Sequence, residues 1–490
     1  MRKRIKLRKF LYVLTIVLGA LIVSVVILYA AIQPPILIVP DRTDLDLKNI
    51  TIWNPGSDII ASQTLHISDG VIKKIEPSQP NDISVFCEGC FAVPGLIDAH
   101  VHTPPKIAIG NQDLFSLLYL KYGVTSVRDL GQFDDSLSDL VERITQGKLF
   151  GPRIYRCGRI LDGDPPSVPG AILVENYEDG QRAVASHADQ NVDCIKIYGN
   201  LSLDAFKGVS EAADQFGLPL VGHTPNKISF NDIQNFESQH YTGIPYLAKP
   251  APTDWAYKSQ DLINMTQDEI DNVLDVMVEN KIAFLPTNAN LESRLTVSDR
   301  ERFPPSEGFQ HMPEFWEVSW PNVASAPKTN ADIQTELNAR PYALSFIQKA
   351  HARNIDVLVG TDVIMPYVIP GESMHQQLAI MAEALGSSEA ALEAATRTNG
   401  NRIDAGKIGE IKTGAFADIL LFKSDPRGSL ENLKNWDYAI VDGRLYTRAD
   451  VDAAVRTFEK HFKGRLYSTV TNMAYGFLAG DYEDSEVSKH

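Results

Sequence analysis

Pro94-Gly95-Leu96-Ile97-Asp98-Ala99-His100-Val101-His102 decides how this 490-residue chain is read. It falls in a short apolar run, Ala92–His102, that reads as a strand. Alternate side chains of a strand share a face, so His100 and His102 point one way while Ala99 and Val101 point the other. Two imidazoles side by side at a strand end make a ready metal chelate. Burying two such rings without partners costs ~1–3 kcal/mol each, which argues against two unrelated core histidines.

Outward from this strand, short apolar runs alternate with amphipathic helical stretches, the pattern of a parallel sheet covered by helices. The strands expected are Ala92–His102, Val124–Asp129, Arg153–Arg159, Cys194–Tyr198, Leu218–His223, Phe236–His240, Ile282–Pro286 and Val357–Asp362. Eight strands over roughly 270 residues predict an α/β fold with a (β/α)8 TIM barrel. The short interval from His223 to His240 leaves room for only a turn or two of helix. Residues 287–340, rich in Pro, Asn and Arg, read as a long loop insertion that shapes the pocket.

Both flanks read differently. Ile36–Val39, Ile50–Trp53, Thr64–Ile67, Val71–Ile75 and Ser84–Phe86 are strand-like before the barrel. After a helix around Ser388–Thr396 come Gly409–Ile411, Asp418–Phe422 and Tyr438–Val441. The simplest organisation joins 36–92 and 406–450 in one β-sandwich beside a barrel at 93–405, with 451–490 a helix and an acidic tail.

Composition narrows the function. The chain is 44% apolar and 22% charged, which is globular rather than disordered. Its net charge of −16 makes nucleic acid an unsuitable main partner. Positive charge gathers at one end, at Arg2, Lys3, Arg4, Lys6, Arg8 and Lys9, and Phe10–Ile32 then carries no charge. A transmembrane helix needs ~20 apolar residues and a secretory h-region only ~7–15. This predicts a membrane anchor at 10–32, a basic cytoplasmic flank at 1–9, and a periplasmic or extracellular catalytic part. A cleaved signal peptide, with Leu28-Tyr29-Ala30 as its small-residue site, is the other reading. The acidic remainder should be repelled by anionic headgroups. Four cysteines exclude a disulfide-scaffolded fold. Cys87-Glu88-Gly89-Cys90 reads as a small disulfide in an oxidising exterior, with free thiols as the alternative. Cys157 and Cys194 read as plain core residues.

Further polar groups close later strands: Lys196 after Asp193-Cys194-Ile195, His223 after Leu220-Val221-Gly222, His240 after Ser238-Gln239, and Asp362 after Val359-Gly360-Thr361. Singly each has a structural explanation, a salt-bridged lysine or a satisfied core histidine. Together they place five N/O ligands and one amine at one end of one barrel.

With these residues in view, the chain resembles the amidohydrolase superfamily of metal-dependent hydrolases. Within it, the chain is similar to the branch of imidazolonepropionase-like enzymes and prolidase-like zinc carboxypeptidases. The resemblance spans roughly 36–445. It is carried by Pro94–His102, Tyr122-Gly123-Val124-Thr125-Ser126-Val127-Arg128-Asp129, Gly360-Thr361-Asp362, and Gly409-Glu410-Ile411-Lys412-Thr413-Gly414-Ala415-Phe416-Ala417-Asp418-Ile419-Leu420. It implies two divalent metals, normally zinc. His100, His102 and Asp362 would hold the first, His223 and His240 the second, and Lys196, carboxylated by carbon dioxide, would bridge them. Asp362 would serve as general base on a hydroxide activated by both metals and would then protonate the leaving group. One departure stands out: Gln239 precedes His240 where the family often has Glu. Tyr198, on the strand face of Lys196, Arg128, Tyr241 and His375 are candidate substrate contacts, with Arg128 also readable as a salt-bridge partner of Asp129 and His375 as a helix cap. His187, His311, His351 and His490 read as surface or helix residues.

The function expected is hydrolysis of an amide bond in a dipeptide or N-acyl amino acid by a membrane-anchored metallopeptidase or dipeptidase. Lys196 steers away from mononuclear imidazolonepropionase chemistry. The other readings are a hydrolase of a cyclic amide or small heterocycle, and a non-catalytic anchored binding protein, against which the complete ligand set argues. The partners expected are a small-molecule or short-peptide substrate and the membrane. Homo-oligomerisation is left open.

Overall fold

The computed structural model describes residues 2–79, 87, 89–132, 134–246, 259–320 and 326–472. The strand expected at Ser84–Phe86 and the end of the acidic tail lie outside them. The fold is mixed α/β, and its described strands form three sheets.

One sheet has seven strands in the order Arg444–Thr447, Tyr438–Val441, Ile419–Phe422, Phe91–Pro94, Leu45–Ile52, Ile60–Ser68, Val71–Pro77. Ile419–Phe422 runs antiparallel to Phe91–Pro94, which runs parallel to Leu45–Ile52. Leu47, Ile50, Ile52, Leu65, Ile67, Ile419 and Leu421 form its own buried core. The two flanks therefore meet in a single sheet rather than in the two facing sheets of a sandwich. Ile36–Val39 and Gly409–Ile411 are not strands.

The other two sheets are parallel and carry the candidate site. Leu96–Val101, Val124–Asp129 and Arg153–Arg156 form one. The second has the order Ala283–Leu285, Phe236–Gln239, Leu220–Gly222, Ile195–Ile197, Leu161–Asp162, Ile172–Leu173. The two shortest of these had no signal in the sequence. Neither sheet closes, which differs from the single closed barrel expected. The sheets part at two places, beside Arg153–Arg156 and at the eighth expected strand. Residues 357–363 form only isolated bridges, Val357 to Phe284 and Val363 to Val101. Here the backbone of Gly360 approaches so closely that a Cβ would lie 2.7 Å from His100 N. Backbone bonds still reach both neighbours, Leu358 N to Phe284 O at 2.8 Å and Asp362 N to His100 O at 2.7 Å, and Asn399 adds to them: its amide donates to the carbonyls of Ile97 and Val359, both at 2.8 Å, and its Oδ1 accepts from Val359 N. Asn399 follows a π-helical turn, Ala394–Thr398, a distortion common at functional sites.

A disulfide joins Cys157 to Cys194, with Cα atoms 4.4 Å apart. The expectation of plain core cysteines is thus corrected. Their surroundings are apolar, with Leu130 and Val221, but one follows Arg153–Arg156 and the other precedes Ile195–Ile197, so the bridge ties the two parallel sheets together. Cys87 and Cys90 also pair.

Helices cover both parallel sheets, and several of their starts carry side-chain caps. Asn176 accepts from Asp179 N, Ser202 accepts from Ala205 N, and Thr266 and Thr329 form reciprocal capping boxes with Glu269 and Asp332. Between His223 and His240 lies a single 3-10 turn, Phe230–Asp232. Residues 287–340 are largely helical, not a loop: Asn288–Ser298, Glu307–His311, Glu314–Ser319 and the start of Asn330–Ala352. At the N-terminus Arg2–Ile32 is one helix, and its stretch Phe10–Ile32 is long and apolar enough to cross a membrane.

Candidate metal centre

The strand Leu96–Val101 presents His100 and brings the following His102 to the same side. Their ring centroids are 5.3 Å apart. Asp362 stands between them, Oδ1 3.2 Å from His100 Nε2 and 3.5 Å from His102 Nε2, and its Oδ2 is 3.9 Å from His240 Nε2. One ligand atom each from His100, His240 and Asp362 lies within 4.8 Å of the others. The His223 ring is 4.9 Å from that of His240 and stacks on Tyr198 at 3.9 Å. Lys196 Nζ lies 5.6 Å from the Tyr198 ring centroid. The six expected ligands and Tyr198 therefore share one buried cluster.

Two of these side chains reach it through unusual backbone. Gln239 and His240 are adjacent, so in a continuing strand they would face opposite ways. His240 instead has φ 60°, and Asp362 φ 67°, the left-handed region that non-glycine residues rarely occupy. Each such residue costs on the order of 1–3 kcal/mol and persists where packing over-determines it. Thr287, at φ 45°, is a third.

A ring of polar contacts fixes the imidazoles. Gln239 donates its amide to Glu237 at 2.6 Å, so its Oε1 faces His100 and accepts from Nδ1 at 2.5 Å. The Gly131 carbonyl accepts from His102 Nδ1 at 3.2 Å, and Thr287 Oγ1 lies 2.6 Å from His240 Nδ1. Each contact engages Nδ1 and leaves Nε2 turned to the cluster, the arrangement that metal-bound histidines need. Asn290 donates to Asp362 Oδ2 at 2.6 Å. Asp98, two residues before His100, accepts from Thr361 Oγ1 at 2.6 Å, Thr361 N at 3.0 Å and His100 N at 3.3 Å, and so pins the two ligand-bearing segments together. The sequence reading missed Thr287, Asn290 and the contacts of Gln239. Thr287 and Asn290 follow Ala283–Leu285 as His223 follows Leu220–Gly222, and that position was the available signal.

Burial sets the electrostatics. It lowers the His100 pKa to about 3 and takes His223 and His240 well below the usual histidine value, so all three are neutral rings with a free lone pair. Burial raises the Asp362 carboxyl, yet its surroundings hold it well below the usual carboxylate value, and Asn290, donating to Oδ2, is a hydrogen bond to the ionised form that needs no proton on the imidazoles. Burial, reinforced by Arg128, lowers Lys196 to about 7 against the pull of Asp362 and Glu237. Lys196 Nζ is buried with no hydrogen-bond partner. An orphaned amine beside neutral imidazoles and a carboxylate fits a divalent-metal centre that the lysine helps to complete.

Three candidate substrate contacts have other partners. Arg128 is buried, pairs with Glu237 and donates to Ala99 O at 3.0 Å. It does not pair with Asp129, because adjacent strand residues face opposite sides; Asp129 accepts from Thr103 N at 2.7 Å and Gly131 N at 3.0 Å instead. Tyr241 is buried against Phe284 and Phe346, its hydroxyl donating to Asn288 Oδ1 at 3.2 Å, which puts it in the core towards the helix Asn330–Ala352. His375 donates Nε2–H to Tyr122 O at 2.8 Å. Tyr122 ends the helix Asn111–Lys121 that leads into the start of Val124–Asp129, so His375 serves the end opposite the ligand-bearing strand ends.

By sequence, no family model and no curated protein matches the chain. Solved structures do match. A bottromycin amidohydrolase superposes with a TM-score of 0.66 at 21% identity over 89% of this chain and 93% of its own. A Bifidobacterium longum structure assigned as a prolidase gives 0.61 at 20% identity, covering 85% and 99%. A Xaa-Pro dipeptidase with methionine in its active site gives 0.57 at 18%, covering 83% and 100%. The chain shares its fold with these amidohydrolase, prolidase and dipeptidase structures.

Proposed function

We propose that the protein is a membrane-anchored binuclear metal amidohydrolase that cleaves the amide bond of a dipeptide or N-acyl amino acid. In this reading the two parallel sheets are the wall of a (β/α)8 barrel at 93–405, the seven-stranded sheet is the flanking unit from 36–92 and 406–450, and Phe10–Ile32 holds the catalytic part outside the cytoplasm. His100, His102 and Asp362 would hold one ion, His223 and His240 a second, and carboxylated Lys196 both; zinc suits this donor set. Bound divalent metals supply positive charge that lowers the pKa of a shared water and polarises the scissile carbonyl.

The rest falls to the chain. Asp362, ionised and held by Asn290 on Oδ2, takes the proton of the attacking water and delivers it to the departing amine nitrogen. Gln239, Gly131 and Thr287 keep three imidazoles oriented, so their order is in place before substrate arrives. Tyr198, half-buried against His223, is the candidate donor to the substrate carbonyl or carboxylate.

The observation that carries the reading is the buried, unpartnered Lys196 amine within this histidine cluster. The test is metal analysis of the full-length protein in detergent, together with a screen of dipeptides, N-acyl amino acids and cyclic amides. Two metals per chain and chelator-sensitive cleavage of linear amides are expected, and Asp362→Asn should lower kcat by ~10²–10⁴ while metal stays bound. Cleavage of cyclic amides alone would replace the substrate class. Metal-free protein without turnover would overturn the reading in favour of a binding protein.

A further inference from the structure

The apolar helix ends against the body of the protein. Ile32 is buried, and its carbonyl accepts from His461 Nε2 at 3.3 Å. A Cβ placed on Gly110 would lie 3.2 Å from the Pro34 ring and 3.0 Å from Phe462. The chain leaving the helix is therefore wedged between the loop that follows His102 and the helix Arg448–Phe462. Tyr467 closes the same junction by donating to Ile109 O at 2.7 Å. The helical insertion joins it as well, through Trp316 Nε1 to Asn111 Oδ1 at 2.9 Å and through the His311–Glu459 pair.

Large apolar side chains point outwards at this exit, with Ile36 98% exposed, Ile107 64% and Leu466 48%, while Ile38, 96% exposed, lies further along towards Pro40, whose carbonyl accepts from Arg444. Two isoleucines in almost full contact with water, four and six residues beyond an apolar helix, are unlike the single exposed residues found on any surface. Beside Leu466, Lys460, Lys463 and Arg465 are exposed, a local positive cluster on an acidic protein. Apolar side chains with basic neighbours, continuous with a helix of membrane-spanning length, match the lipid–water interface in both chemistry and position.

We propose that Ile36, Ile107 and Leu466, with Lys460, Lys463 and Arg465, form a collar that seats in the headgroup region of an anionic bilayer. The collar is argued from its continuity with Phe10–Ile32, and it is independent of the catalytic assignment. Ile107 lies on the loop that begins at His102, so the collar fixes the ligand-bearing rim of the candidate metal centre beside the membrane surface. The acidic charge of the whole chain opposes such contact, and the basic cluster is the local exception that permits it.

The test uses the full chain in nanodiscs of mixed zwitterionic and anionic lipid. An environment-sensitive fluorophore is attached in turn to Ile36→Cys, Ile107→Cys and Leu466→Cys. Val278→Cys is the control: it is 50% exposed on Gln267–Glu279, near the end that leads back to a strand start. The collar labels should be quenched several-fold more than the control by a lipid-borne nitroxide and several-fold less by aqueous iodide. Removing the anionic lipid should weaken the effect at Leu466. Intact mass reports whether the anchor is kept. Collar labels as iodide-accessible as the control, in a chain that keeps its anchor, would overturn the collar and leave the anchor standing. The same labelling result in a chain shortened near residue 30 would overturn both. Lipid quenching in a shortened chain would support the collar and remove the anchor. Labels shielded from both quenchers would point to a protein partner and overturn the lipid assignment.

Discussion

Lys196 shows how burial prepares a side chain for chemistry. At a pKa of about 7 much of the amine is unprotonated near neutrality, and the neutral amine is the form that adds carbon dioxide. Lys196→Ala should therefore lose bound metal and activity together, and bicarbonate with a short carboxylate such as acetate should restore part of both. Lys196→Arg should resist rescue, because a guanidinium stays charged and fills the space. An alanine variant that still binds two metals per chain would reduce Lys196 to a structural role. His375 gives a separate test in pH. Its folded pKa is lowered to about 4, chiefly by burial, against 6.5 unfolded. Between those values the unfolded chain binds more protons, so stability rises with pH; it is fully present above 6.5 and is lost as pH falls towards 4. The loss is about 3 kcal/mol. His375→Gln can keep a donor to the Tyr122 carbonyl without titrating, so thermal unfolding followed from pH 7 to 4 should show a shallower decline than the parent. An unchanged slope would assign the acid sensitivity elsewhere. The histidine pair was readable because a strand's period of two needs no knowledge of the rest of the chain. Arg128, Tyr241 and His375 were not, because the partners that define them, Glu237, Asn288 and Tyr122, are distant in sequence.

At the scale of elements, strands showed where their apolar runs were long and were reduced to isolated bridges where special backbone serves the site. Val357–Asp362 has a strand's composition, yet Gly360 and the left-handed Asp362 trade regular pairing for contact with His100, and Asn399 holds the seam. The helices of 287–340 were hidden by their composition: Pro313 and Asn330 fall at helix starts, but Asn338 and Pro341 lie inside Asn330–Ala352 and read as breakers in the sequence. The Cys157–Cys194 bridge was hidden for a related reason: only the fold sets Arg153–Arg156 beside Ile195–Ile197. Its sequence separation of 37 residues makes it a substantial constraint on the unfolded chain. Replacing both cysteines by alanine should lower unfolding free energy by about 4 kcal/mol on the chain-entropy account. Urea titrations of parent and variant, with and without reductant, measure it; equal midpoints for oxidised and reduced parent would show that the bridge does not bear on stability.

For the whole molecule, orientation across the membrane is the property to establish first. A reporter active only outside the cytoplasm, fused after residue 490, should give signal, whereas activity from a cytosolic reporter at the same point would reverse the assignment. The way the seven-stranded sheet is assembled then has a bearing on how the protein is made. Phe91–Pro94 lies in the interior of that sheet only because Ile419–Phe422 pairs with it. Synthesis proceeds from the other end, so the early strands emerge with an open edge of unpaired N–H and C=O groups. The covering strand follows roughly 300 residues later, on the order of 15–60 s at the pace of translation. Slowing the ribosome between these two segments prolongs that exposure, and slowing it after residue 447 does not.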